Sequence, residues 1–374
     1  MKLSLVIVSY KVPYHLLLCL DSLERALKNI SHEIFIVDNH SEDNSKLLIN
    51  QHFSYVNFIA NKKNVGFAKA NNQAIKMAVG DYICLVNPDT IVAEDTFTTL
   101  LNKANQIEKH GILGVQMTDG TGRFLPESKV NQLTPLRAAM RLLGFSKRYF
   151  NFSIPQNQIN PTYTLVGAFM FFKKMHYQKV KGLDERYFMY GEDIDISHQF
   201  MQQGWQNYYI GIADIIHFKG ESTLKNSAYL NRFFQSILIY FDTYYKYPKW
   251  VKFWVHLFFS IAKPIKKMQS SKKPKLVLSE QTIVFSDHKS IEKQLATNNF
   301  RKVERLSTAN FLNKSIKKSL IIFDMSCITY RQAIDYMKKY HTHQNSYRFK
   351  PAKQNFLIGS DSKTSMGEIK HLIN

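Results

Sequence analysis

Cys84-Leu85-Val86-Asn87-Pro88-Asp89 decides how this chain is read. The apolar half has strand composition, and Asn-Pro-Asp are three residues that favour turns. The turn presents one carboxylate, Asp89, at the strand's carboxyl end. In an open α/β sheet that edge is where ligands bind. A carboxylate there can hold a divalent cation against nucleotide phosphates. A plain turn is the competing reading, so the neighbouring sequence must arbitrate.

Working outward, Leu3–Val8, Glu33–Val37, Val56–Ile59, Asp81–Val86 and Ile112–Met117 read as strands. Helical spacing separates them over Tyr14–Asn29, Ser45–His52, the end of Asn64–Ala78, and Thr96–His110. Strands alternating with helices imply a mainly parallel sheet. Thr162–Phe172 reads as a further strand, Tyr187–Gln203 as a loop turning helical near Asp193, and Tyr208–Ile210 and Ala213–His217 as two short strands. Residues 118–160 are basic, helical around Leu136–Leu143, and read as a functional or mobile insertion.

Of 374 residues, 50 are Lys or Arg and 29 are Asp or Glu, a net +21. Residues 1–244 carry 25 basic and 21 acidic side chains (+4), and 245–374 carry 25 and 8 (+17). The basic C-terminal third therefore points to a polyanion nearby. No nucleic-acid-binding motif appears, which favours an anionic membrane over nucleic acid. Cys19, Cys84 and Cys327 have neither disulfide nor zinc spacing, as in a reducing compartment. No signal peptide is read at the N-terminus, and no apolar run approaches the ~20 residues of a membrane span.

Four more groups accompany Asp89. Asp38, ending the second strand, can accept a hydrogen bond from a pyrimidine ring N–H or cap a helix. Asn64-Val65-Gly66-Phe67-Ala68 opens a helix, whose N-terminus attracts phosphate; a simple glycine loop is the alternative. Tyr190-Gly191-Glu192-Asp193-Ile194-Asp195 gathers three acids, as a general base or a capping cluster. His217 follows an apolar strand and is a metal ligand only if Asp89 lies beside it.

In this order the pieces resemble the family 2 glycosyltransferases, over about residues 3–245. The matching stretches are Val8-Ser9-Tyr10, Val37-Asp38-Asn39, Asn64-x-Gly66-Phe67-Ala68, Asn87-Pro88-Asp89, Gly167-Ala168-Phe169, Gly191-Glu192-Asp193 and His217-x-x-Gly220-x-Ser222. The rhamnosyltransferase-like branch is most similar. The resemblance implies a GT-A-type nucleotide-binding domain and inverting, metal-dependent transfer from a nucleoside-diphosphate sugar (dTDP-rhamnose or a UDP-sugar). The acceptor is a glycan or lipid-linked saccharide in cell-surface polysaccharide synthesis. It assigns Asp193 as base, Glu192 to the acceptor, and Ser9, Tyr10, Asp38, Asn64, Gly66 and Asn87 to the nucleotide sugar. It also implies that Asp89 and His217 hold Mg2+ or Mn2+. Asn87 replaces the first aspartate of the family's Asp-x-Asp motif, leaving fewer carboxylate ligands. The absence of Gln-x-x-Arg-Trp argues for a non-processive enzyme. A sugar nucleotidyltransferase and a non-catalytic membrane-associated binding protein are the alternatives.

The expected organisation is a catalytic domain over 1–245, a basic aromatic helix and linker over 246–275, and a small α/β unit over 276–374. Trp250–Lys267 reads as a helix that lies on an anionic membrane or packs on protein. Ser270–Pro274 reads as a linker. The last unit, with Asp324 and Gly359-Ser360-Asp361 after strands, reads as an accessory or oligomerisation domain. The expected location is cytoplasmic, peripheral on the inner face of the cell membrane.

Overall fold

The structure is a computed structural model that describes residues 2–142, 144–218, 227–245, 281–361 and 367–373. The aromatic segment 250–267 and the linker 270–274 lie outside the described residues. Among the described residues no helix is long and apolar enough to cross a membrane.

Nine strands form the first sheet: β1 Leu3–Ser9, β2 His32–Asp38, β3 Asn57–Ala60, β4 Tyr82–Val86, β5 Thr90–Val92, β6 His110–Thr118, β7 Ile159–Pro161, β8 Phe169–Lys173 and β9 Gln206–His217. Their order is β3-β2-β1-β4-β8-β6-β9-β5, with β7 also on β9. The run from β3 to β4 is parallel, as is the β6–β9 pair, whereas β8, β5 and β7 run antiparallel to their neighbours. Around it lie α1 Pro13–Ala26, α2 Ser45–His52, α3 Phe67–Met77, α4 Thr96–Gln106, α5 Pro135–Leu142, α6 Lys174–Lys179, α7 Glu192–Gln202 and α8 Ser227–Tyr244.

Alternation along the central strands sorts side chains to two faces. Leu3, Leu5 and Ile7 of β1 and Tyr82, Cys84 and Val86 of β4 pack with Leu16, Leu20 and Leu23 of α1. Val6, Val8, Ile83 and Leu85 pack on the other face with Ala70 and Ala74 of α3 and Phe200 of α7. Both faces are covered, so these strands read as continuous apolar runs.

The expected elements need four corrections. β9 is one strand rather than two: Val115 pairs with Ile210 but Gln116 with Asp214, so Gly211-Ile212-Ala213 bulge within an unbroken strand. Thr162–Phe172 is not one strand, because β8 begins only at Phe169. The helix over 96–110 stops at Gln106, since His110 already belongs to β6. The 118–160 insertion is packed: Val130 pairs with Phe150 and Thr164, and Leu133, Ala138 and Tyr149 join Phe234, Ile237 and Tyr240 of α8 in one cluster.

The second sheet orders β10 Thr282–Phe285, β11 Val303–Leu306, β12 Leu320–Asp324, β13 Ser346–Lys350, β14 Phe356–Gly359 and β15 Glu368–His371 as β11-β10-β12-β13-β14-β15. The first four are parallel. Helices α9 Ser290–Thr297 and α10 Tyr330–Lys339 flank it. This unit is not loosely attached. Phe323, Phe349, Tyr330 and Met337 share one continuous core with α1 and β4.

Polar groups fasten the same junction. Tyr330 Oη donates to Asp21 (2.6 Å), and Glu94 accepts the Tyr330 and Arg331 amides at 2.7 and 2.8 Å. Arg331 donates to Asp214 at 2.5 Å and Asp95 at 2.6 Å, and Lys338 to Asp214 at 2.7 Å. Glu94 and Asp95 follow β5, and Asp214 lies in β9, so α10 grips both strands that frame Asp89 and His217. Gly122 shows how close the approach is: at φ 80°, an added Cβ would sit 2.2 Å from the Met337 carbonyl oxygen. Arg331→Met strips buried Asp214 of one of two cations. Removing a buried partner costs about 3–5 kcal/mol when nothing compensates; with Lys338 remaining, we expect ~1–3 kcal/mol, read as a lower urea midpoint. A midpoint equal to wild type would remove Arg331 from this role.

Candidate active site

The carboxyl ends of β1 and β2 form the first part of the site. Ser9 and Asp38 are register partners there. Ser9 Oγ and one Asp38 carboxylate oxygen are buried without a hydrogen-bond partner, which marks a place for a polar ligand. The other Asp38 oxygen accepts the Ser41 amide at 3.2 Å. Asp38 thus closes a local turn and caps no helix, since α2 starts only at Ser45. Tyr10 is partly buried beneath the Lys11 ammonium, 5.3 Å from its ring centroid.

Asn39 ties this edge to the next loop. Its amide nitrogen donates to Asn64 Oδ1 at 2.9 Å, and its oxygen accepts the Val65 amide at 3.0 Å. Asn64 Oδ1 also accepts the Gly66 amide at 3.0 Å. These side chains shape the loop from within. Gly66 has φ 86° and ψ 167°, a region essentially limited to glycine. An added Cβ would stand 2.5 Å from the Phe188 carbonyl oxygen, which also accepts the Phe67 amide at 2.7 Å. The first amide of α3 is therefore committed to the acidic segment. Gly66→Ala combines backbone strain of about 1–3 kcal/mol with a steric clash, so its thermal midpoint should fall. An unchanged midpoint would contradict this packing.

Beyond β4, the Asn87 amide donates to Ala168 O and the Asn87 carbonyl accepts Thr90 Oγ1, at 2.9 and 2.8 Å. Asp89 is buried, with one carboxylate oxygen 3.5 Å from His217 Nε2. The Thr90–His217 register of β5 and β9 enforces this approach. Burial alone pushes the Asp89 carboxyl upward, yet the facing His217 and, less, His15 outweigh it and hold it below the ordinary carboxylate range. His15 is itself driven down to about 4 by burial, so it supplies little positive charge at neutral pH. His217 Nδ1 and one Asp89 oxygen are buried without hydrogen-bond partners. A buried carboxylate facing an imidazole, with His217 Nδ1 and one Asp89 oxygen unpartnered, is a donor set that fits a divalent cation.

The acidic segment divides into distinct roles. Asp195 is saturated by Tyr244, Gln199 and Tyr187, and is structural. Glu192 is buried with one oxygen unpaired; burial and neighbouring Asp193 and Asp195 hold its carboxyl well above the usual range. Asp193 is partly exposed at the start of α7. Its oxygens accept the Gly167 and Ile194 amides at 3.1 and 2.8 Å. Burial raises its carboxyl too, but those two amides pull it back. Of this coupled pair, Asp193 is the one that ionises first. Gly167 and Ala168, adjacent residues, thus connect Asp193 to Asn87. Any Cβ on Gly167 would lie 3.5 Å from that of Asp193.

A carboxyl whose folded pKa is raised stabilises the fold fully below its unfolded pKa and loses that contribution as pH rises through the folded value. Glu192→Gln removes this loss. Its thermal midpoint should fall less than wild type's from mildly acidic to mildly alkaline buffer; parallel curves would sink the assignment.

Beside Asp193 opens a cavity lined by Arg141, Tyr149, Gly191, Ile194, Phe233 and Tyr240. The Arg141 guanidinium lies 3.8 Å over the Tyr149 ring, a cation in a mainly apolar and aromatic lining that also includes Ser236. In the sequence Arg141 is one of several basic residues of the 118–160 insertion, with nothing local to distinguish it. The three-dimensional partners Asn39, Gly167 and His15 carried no local signal beyond the motifs around them.

An α/β sheet with carboxylates at its ligand edge, facing an acid-bearing helix start, defines a glycosyltransferase of the GT-A type. Residues 4–181 match the model of glycosyl transferase family 2. An N-acetylglucosaminyl-diphospho-decaprenol L-rhamnosyltransferase of Mycobacterium tuberculosis is 27% identical over 244 residues, 60% of this chain and 79% of that protein. Rhamnosyltransferase WbbL of Escherichia coli K12 is 25% identical over 53% of this chain and 79% of its own length. A crystallised mannosyltransferase from Pyrobaculum calidifontis, in complex with GDP-Man and Mn2+, aligns with a TM-score of 0.46 at 14% identity, covering 73% of this chain and 76% of that one.

Proposed function

We propose that this enzyme transfers a single sugar, with inversion, from a nucleoside-diphosphate sugar to a saccharide or lipid-linked acceptor in cell-surface polysaccharide synthesis. Asp193 carries the proposal: a carboxylate of raised pKa, oriented by two backbone amides, beside a cavity. It takes the proton from the acceptor hydroxyl as that oxygen bonds to the sugar's anomeric carbon and the carbon–phosphate oxygen bond breaks. Ser9 and Asp38 face the nucleotide, and Asn64 and Gly66 shape the loop beside it. Asp89 and His217 hold Mg2+ or Mn2+, which supplies charge stabilisation for the departing diphosphate. Glu192, kept neutral, donates to the acceptor.

The rhamnosyltransferase relatives favour dTDP-rhamnose over a UDP-sugar as donor. The aromatic cavity with Arg141 suits an acceptor that joins an apolar chain to a phosphate, presented at a membrane surface. Incubation with each donor, Mn2+ and a polyprenyl-diphosphate saccharide tests this. Release of nucleoside diphosphate with a glycosylated lipid is expected. Pyrophosphate release instead would mean nucleotidyl transfer, and no donor turnover would leave a binding protein.

A further inference from the structure

The second α/β unit has a ligand edge of its own. Its parallel strands run β11-β10-β12-β13, so the chain turns one way from β10 to β11 and the other way from β12 to β13. The carboxyl ends of β10 and β12 therefore bracket a topological switch point, where such sheets bind ligands. Ser286, Asp287 and His288 follow β10; Asp324, Ser326 and Cys327 follow β12.

Three of these bring different donor atoms together. One ligand atom each from His288, Asp324 and Cys327 lies within 4.8 Å of the other two. Asp324 is 1% exposed, a carboxylate at the end of a buried strand. Its oxygens are oriented by Ser286 Oγ at 2.7 Å and Ser326 Oγ at 2.6 Å. Cys327 Sγ is 3.9 Å from Asp324 Oδ2 and accepts the Asp287 amide at 3.5 Å. Zinc bonds of about 2.0–2.3 Å place two tetrahedral ligands at that sort of spacing. His288 is exposed, its backbone amide donates to Ser286 Oγ at 3.0 Å, and one of its ring nitrogens already stands within the cluster.

We propose that His288, Asp324 and Cys327 bind a zinc-class divalent cation, with a fourth position open. Thiolate and imidazole select zinc over magnesium, calcium or manganese. The serine donors to Asp324 are the outer hydrogen bonds that such sites use to orient a ligand. The site is separate in chemistry from Asp89 and His217, which offer no sulfur. It also has a structural consequence. Arg25 of α1 donates to the Met325 and Ile328 carbonyls, at 2.5 and 3.3 Å, within the turn that holds Cys327. A cation there would brace the turn that leads into α10, the helix gripping β5 and β9.

Cobalt(II) reports on the site directly, because thiolate ligation gives a sulfur-to-metal charge-transfer band. The full chain is stripped with chelator, its thiols kept reduced, and titrated with Co2+ and then Zn2+. About one equivalent of Co2+ should raise the band and Zn2+ should bleach it. Cys327→Ser should abolish the band. His288→Ala, at an exposed position that does not disturb the core, should weaken Co2+ affinity at least tenfold with an unchanged metal-free thermal midpoint. A folded wild-type chain without the band overturns the proposal. So does a band that persists in Cys327→Ser, or an unchanged affinity in His288→Ala.

Discussion

Asp193→Asn should lower turnover by roughly 10²–10⁴-fold, the usual contribution of a general base, while donor affinity stays near wild type. The reason lies in how the carboxylate is held. Two backbone amides, from Gly167 and Ile194, fix its orientation, and the side chain remains partly exposed beside the cavity that Arg141 and Tyr149 line. Burial raises its pKa above that of an ordinary aspartate. Wild-type kcat should therefore fall as pH drops through that raised value, because the base works only when ionised. The variant's residual rate should lack this acid limb. Donor binding by calorimetry, alongside kcat across pH, separates the base from a structural residue. Near-normal kcat, or an acid limb preserved in the variant, would remove Asp193 from the role.

Asp89→Asn should cost on the order of 10²–10³-fold in kcat/KM, as expected when several kcal/mol of charge stabilisation at the leaving diphosphate are lost. Its carboxylate is buried, ionised and 3.5 Å from His217. Wild-type donor affinity should rise with added Mn2+; the variant's should not. The alternative is that Asp89 and His217 form only an internal ion pair. The variant would then lose stability but retain its Mn2+ response. There is a matching pH signature. A depressed carboxyl contributes stability above its unfolded pKa and loses it as pH falls through the folded value. The acid limb of wild-type unfolding should therefore be shallower in Asp89→Asn.

Much of the architecture was legible because central strands buried on two faces must be apolar at every position. Leu3–Val8 and Tyr82–Val86 could be little else. The strands that escaped notice are short or carry charged residues. β15, Glu368–His371, is mostly exposed, and β5 is three residues long. β9 was read as two strands because Gly211 and its neighbours interrupt the pattern, while the backbone continues through a bulge. Asp38 could be read as a cap because Asp at a strand end has the same composition whether a helix follows at once or seven residues later.

The C-terminal unit illustrates the same limit on a larger scale. Its strands and helix read as a small accessory or oligomerisation domain, and its basic composition pointed to a polyanion nearby. In the fold, Arg331 and Lys338 are spent on Asp95 and Asp214 of the catalytic sheet, and Tyr330 on Asp21. Part of the positive charge that seemed available for a polyanion is thus neutralised internally, which net charge cannot reveal.

Asn87-Pro88-Asp89 shows where local sequence ends as a guide. By itself the sequence determined that a buried strand ends in a turn carrying a carboxylate, since strand burial and turn propensity are properties of adjacent residues. The tertiary structure alone decided what that carboxylate meets. His217 reaches it through the register of β5 on β9, and Asp193 is tied to Asn87 through Gly167 and Ala168. Those are contacts between residues far apart in the chain, set by sheet order rather than by any local propensity.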